Sequence, residues 1–280
     1  MSKIKIVTDS SAQLTDEEIK QLGVTVIPLT VMIDNTVYVD GETIQRNEFV
    51  EKMATAESLP QTSQPAIGTV LDCFNNLTAD GSQVLAIFMA ESLSGTVNSG
   101  RQAAEMCEGQ VTVVDSGFID RAMSFQVMEA AKLAAEGTEI NAIVDAIAEV
   151  RANTILRMAV VKLDNLVKGG RLSRAAGLIT SVLNIKLELM VESGKLEVAK
   201  KVRGMKAIRA FKDEVIQQMS QQPNVKGVGV SYVAIPEQAE EIGQQIRDAV
   251  PDVPVLVRPT GPIVATHAGE GAFAIMYYMG

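Results

Sequence analysis

Short apolar runs bounded by turn residues alternate with longer stretches of helical spacing along almost the whole chain. Residues 3–8, 24–33, 84–89, 111–114 and 158–161 read as strands, because β-branched and apolar residues run together there. Helical spacing falls between them, over residues 15–22, 45–53, 66–77, 96–106, 118–135 and 140–152. In Thr15-Asp16-Glu17-Glu18 a Thr is followed three residues later by Glu, the capping-box pattern, so a helix begins there. Near-continuous apolar strands separated by helices imply a parallel sheet covered on both faces.

The second half has a different rhythm. Residues 187–191 and 195–202, separated by Glu192-Ser193-Gly194, predict a hairpin. A basic helix over residues 205–219, a strand at 227–232 and a helix opening near Pro236 follow. Apolar segments at 253–257 and 263–266 and a last apolar helix or strand close the chain. The expectation is two α/β domains, residues 1–157 and 158–280, packed directly on each other with a ligand site buried between them.

Composition narrows the function. Of 280 residues 47% are hydrophobic and 21% charged, an ordinary globular balance. The net charge of −9, without a sustained Lys/Arg block, lacks the footprint of a nucleic-acid binder. No apolar run approaches the ~18 residues of a membrane span. The first residues read as folded sequence without an apolar signal core, so a cytoplasmic location is expected. Cys73 and Cys107 are far apart and His267 is the single histidine, which leaves no metal or disulfide pattern.

Small polar clusters mark the ends of the predicted elements: Thr8-Asp9-Ser10-Ser11, Thr62-Ser63-Gln64-Pro65, the Ser92 to Ser99 segment, and Asp115-Ser116-Gly117. Such residues cap helices, but at the carboxyl ends of parallel strands they also offer donors to an anion. The segment around Ser94 has more hydroxyls than a cap needs. Lys168-Gly169-Gly170-Arg171-Leu172-Ser173 sets cations around a flexible Gly pair, and His267 sits in a Gly-rich stretch at an expected strand end. Neither a dinucleotide nor a P-loop pattern is present. A serine hydrolase or acyltransferase using Ser94 and His267 is the competing reading, although no Gly-x-Ser-x-Gly elbow accompanies them.

Taken in order, these clusters, together with Lys201-Val202-Arg203-Gly204 and Thr266-His267, resemble the DegV family of fatty-acid-binding proteins over essentially the whole chain. The resemblance implies a long-chain fatty acid buried between two α/β domains and no active site of the chain's own. It implies that Thr62, Ser94, Arg171 and His267 hold the carboxylate, supported by Ser63, Gly95 and Thr96. The bound acid is then presented to a separate ATP-dependent kinase, the fatty acid kinase catalytic subunit, with Arg203 as a partner contact. No further cofactor is expected. The sequence departs from the family pattern at Ala66, where Ser is usual, at Leu187, where a proline is common, and at Glu270 in the Gly-rich stretch.

The chemistry agrees with that implication. Burying ~16 carbons gains on the order of 10 kcal/mol, and the carboxylate at the end needs hydrogen bonds and compensating charge. Two hydroxyls can donate, and Arg171 and a protonated His267 are expected to offset the charge. Lys195, Lys200, Lys201, Arg203, Lys206, Arg209 and Lys212 gather cations in an otherwise acidic chain. They suit either an acidic partner or a transient contact with an anionic membrane surface.

Overall fold

The computed structural model describes residues 3–171 and 185–280. The first half begins with β1 (Ile4–Asp9), α1 (Asp16–Leu22) and β2 (Thr25–Ile27). The capping box forms: the Thr15 hydroxyl accepts from the Glu18 amide at 3.1 Å, and the Glu18 carboxylate accepts from the Thr15 amide at 2.8 Å. The long apolar run at 24–33 is not one strand, because Pro28 supplies no amide to continue the ladder. The chain leaves the sheet there and forms a small antiparallel sheet from β3 (Thr30–Ile33), β4 (Thr36–Val39) and, after α2 (Arg46–Thr55), β5 (Gln61–Ser63).

The main sheet resumes through α3 (Ile67–Thr78), β6 (Gln83–Phe88), α4 (Thr96–Met106) and β7 (Val111–Asp115). Its order is β2-β1-β6-β7, all parallel. One face is covered by α3 and α4, with Val70, Phe74, Val97 and Ala103 packed on Val7, Val84, Ala86 and Phe88. The opposite face meets α5 (Asp120–Ala135), against which α6 (Ile140–Ala152) packs.

The second half builds a six-stranded sheet. Its elements are β8 (Thr154–Val160), α7 (Asp164–Lys168), β9 (Ile185–Glu192), β10 (Lys195–Arg203), α8 (Gly204–Ser220), β11 (Val225–Tyr232), α9 (Pro236–Ala249), β12 (Val255–Pro259), α10 (Pro262–Ala268) and β13 (Phe273–Met279). The order is β10-β9-β8-β13-β11-β12, antiparallel except for β11 with β12. The expected hairpin is β9–β10; Ser193 and Gly194 both have positive φ, as a tight right-twisted turn requires. The segment at 263–266 is helical rather than extended, because Pro262 occupies the first helical position.

Helix α5 joins the two halves. It packs against β1 on one side and against β11 and β13 on the other, and residues 120–127 are buried without a break. Gly229 on β11 makes this approach possible: a Cβ there would fall 2.6 Å from the Arg121 Cβ. Helices α8 and α9 cover the other face of the second sheet through Ile208, Phe211, Ile242 and Ile246. Among the described residues no helix is long and apolar enough to cross a membrane.

Candidate functional site

An apolar cavity with an empty volume of about 620 Å³ is walled by residues from both halves. Leu29, Met89 and Ile119 come from the first; Met158, Leu166, Leu196, Ile263 and Val264 come from the second. Four of its wall residues, Ile119, Met158, Val264 and Ala268, also line a second apolar cavity of about 330 Å³, so the two adjoin across a shared wall. The polar wall residues of the first cavity are Thr62, Ser63, Gln64, Ser94, Arg171 and His267. The four side chains expected to hold a carboxylate are therefore brought together, at the margin of apolar space.

Each is placed by local structure. Thr62 lies on β5, paired opposite Val31. Ser94 precedes α4, where its hydroxyl lies 2.8 Å from the Thr96 hydroxyl and accepts from the Thr96 amide at 3.3 Å. Gly95 and Thr96 stand behind Ser94 rather than in the wall. A side chain at Gly95 would collide with Gln64, whose amide is tied to Ser99 at 2.9 Å. Arg171 donates to the Leu93 carbonyl at 3.3 Å and the Gly169 carbonyl at 2.8 Å, and makes no ion pair among the described residues. Leu172 and Ser173, which complete that sequence cluster, lie outside the described residues.

His267 sits in the last turn of α10, not at a strand end, with Nε2 3.0 Å from the Thr62 hydroxyl. Its Nδ1 is buried, has no partner among the described residues, and faces Gly169, where any side chain would strike the ring. Burial, and then the charge of Arg171, push the imidazole down to about 4. The expectation of a protonated His267 is corrected accordingly: the ring is neutral near pH 7, and Arg171 is the cation of the cluster. With its proton on Nε2 the ring donates to Thr62, which leaves the Thr62 O–H free for another acceptor.

A hydrolase arrangement does not form. His267 faces Thr62 instead of Ser94, and among the described residues no carboxylate meets its Nδ1. The remaining acids are used structurally. Asp9 accepts from Ser11 and from the Met89 amide, tying the end of β1 to that of β6. Asp115 accepts from the Glu91 and Gly117 amides. Those two polar clusters shape loops and do not enter the cavity wall.

Arg203 ends β10, exposed, about 20 Å along the strand from Leu196 in the cavity wall. Lys206 and Arg209 are exposed beside it, whereas Lys200 and Lys212 are paired with Glu214 and Asp213. The sequence missed the apolar wall, since Leu29, Met158 and Val264 follow the same spacing as any core residue. It also missed Asp120, buried at the start of α5 with a left-handed backbone, φ 59°.

A family profile described as "Uncharacterised protein, DegV family" matches residues 3–280. A DegV domain-containing protein of Streptococcus pneumoniae is 44% identical over 276 residues, covering 99% of this chain and 98% of that one. Among solved structures, a DegV family protein from Thermus thermophilus, described for its fatty acid binding, superposes with a TM-score of 0.88 at 28% identity, over 99% of both chains. DegV from Bacillus subtilis, described as a fatty acid binding protein, superposes with a TM-score of 0.93 at 26% identity, over the full length of both.

Proposed function

This chain belongs to the DegV family, and from that premise we propose that it carries a long-chain fatty acid and presents the carboxylate to an ATP-dependent acyl kinase. The observation that supports the reading is one apolar cavity ending in hydroxyls and a guanidinium with no protein carboxylate beside them among the described residues. Ser94 and Thr62 can each donate a hydroxyl hydrogen, and Arg171 offers charge that no protein carboxylate neutralises among the described residues. A carboxylate bound there receives charge-assisted hydrogen bonds, while the acyl chain fills the space lined by Met158, Leu166 and Val264 and continues toward the second cavity. Neutral His267 holds Thr62 with its hydrogen directed at the ligand. The chain performs no covalent step; the kinase supplies the phosphoryl transfer. Arg203, Lys206 and Arg209 form the cationic face for that partner.

Native mass spectrometry of Thr62→Val and Ser94→Ala tests the head-group assignment: each lost hydrogen bond should weaken fatty-acid retention about 10- to 100-fold. Undiminished lipid content in both variants contradicts it. Arg203→Ala should keep its lipid and slow acyl-phosphate formation by the kinase; a normal rate removes this residue from the partner face.

A further inference from the structure

A second cleft, with an empty volume of about 910 Å³, opens at the carboxyl ends of β1, β2 and β12. It shares no wall residue with the two apolar cavities. Ligands of open α/β sheets bind at such edges.

Two arginines line it. Arg46, at the start of α2, donates through one amino nitrogen to the Gln13 side-chain oxygen and to the Pro259 carbonyl at 3.0 Å. Arg258, on β12, donates through one amino nitrogen to the Leu14 carbonyl at 2.5 Å. A guanidinium has donors on three nitrogens; the other two nitrogens of each arginine have no protein partner among the described residues. Neither arginine makes an ion pair there. Arg121, which donates to the Gln13 backbone carbonyl, differs in having its charge paired: both Glu18 oxygens hold it at 2.7 Å.

The two guanidinium groups act on each other. Burial, and then the charge of Arg258, lower the Arg46 pKa from its ordinary value. The charges of Asp120, Asp40 and Asp16 act the other way, but none of the three forms an ion pair with Arg46 among the described residues. Asp16 and Glu42 are exposed, and Asp40 accepts from the Ser10 hydroxyl at 2.7 Å while burial pushes it up to about 6. Leu14, Ile19 and Val26 supply an apolar wall.

We propose that this cleft binds a phosphomonoester, with the phosphate between Arg46 and Arg258 and a compact apolar group against Leu14, Ile19 and Val26. A phosphate presents three terminal oxygens and can take donors from two guanidinium forks at once, which a single carboxylate does less well. The apolar wall favours an ester over the free ion.

Calorimetric titration at fixed ionic strength, with phenyl phosphate and separately with inorganic phosphate, tests the site. Saturable one-to-one binding of phenyl phosphate is expected, weakened at least about tenfold by Arg46→Gln and by Arg258→Gln and unchanged by Arg101→Gln, an exposed arginine outside the cleft. If Arg46→Gln does not fold, Arg258→Gln, which gives up one backbone contact, carries the test. Inorganic phosphate binding as tightly as the ester overturns the assignment of an ester. Heat that never saturates, or that Arg101→Gln reduces as much as Arg258→Gln, overturns the site.

Discussion

Asp120 and His267 both stand in the walls of neighbouring apolar cavities, and their partners could hardly differ more. One Asp120 oxygen accepts from the Ser231 hydroxyl at 2.5 Å and the Arg121 amide at 2.7 Å, and the other accepts from the Thr260 hydroxyl. Ser231 in turn accepts from Gln13 at 2.6 Å. This cluster ties the start of α5 to β11 and to the end of β12, and its acceptors are occupied. Around His267 the balance is reversed. Among the described residues Nδ1 has no partner, the Thr62 hydrogen is free when the ring carries its proton on Nε2, and Arg171 meets backbone carbonyls but no carboxylate. A buried polar group left incomplete costs stability, so an incomplete cluster with an unneutralised guanidinium beside apolar space is better explained by what it holds than by what it stabilises.

The comparison can be broken at either end. The largest effect should come from Asp120→Ala, which strands Ser231 and Thr260 without their acceptor and puts Ala in a left-handed conformation. Urea unfolding should show a loss of about 3 kcal/mol, while the folded fraction keeps its lipid. A stable variant would mean that the saturated cluster is not what joins the halves.

The pH dependence of stability comes next. His267 is depressed from 6.5 to about 4 in the folded chain, so its contribution is full above 6.5 and is lost as pH falls toward 4. That window is worth about 3 kcal/mol at most. Asp40 opposes it: raised from 3.8 to about 6, it loses its contribution as pH rises through that range. The test is therefore the difference between the lipid-free parent and His267→Asn, which should flatten the acid side of the stability profile. A bound carboxylate should shrink the same difference by stabilising the charged ring. Identical profiles for parent and variant would remove the buried neutral imidazole from the account.

The smallest stability effect belongs to Ser94→Ala, expected within about 0.5 kcal/mol of the parent, although the same change weakens lipid retention. A large loss of stability would place Ser94 with Asp120 instead, as a structural residue.

The sequence showed much of this fold where local signals were strong. The Thr15 capping box, the Gly-containing turn of β9–β10 and the apolar β6 are written in short stretches of chain. It failed where tertiary packing overrode the pattern. The run at 24–33 was divided by Pro28, and a β-branched segment was drawn into α10. The polar half of the candidate site was legible because Thr62, Ser94, Arg171 and His267 lie in recognisable clusters. The apolar half was not: Met158 and Val264 carry no mark that separates a cavity wall from a filled core. Nor could the protonation of His267 be read, since it depends on burial and on Arg171 arriving beside it in space.

Native mass spectrometry of the purified parent protein, followed by solvent extraction, tests the central claim most directly. One long-chain fatty acid per chain, released on denaturation, is the predicted result. A protein that arrives empty and takes up no added fatty acid would contradict the carrier reading while leaving the fold in place.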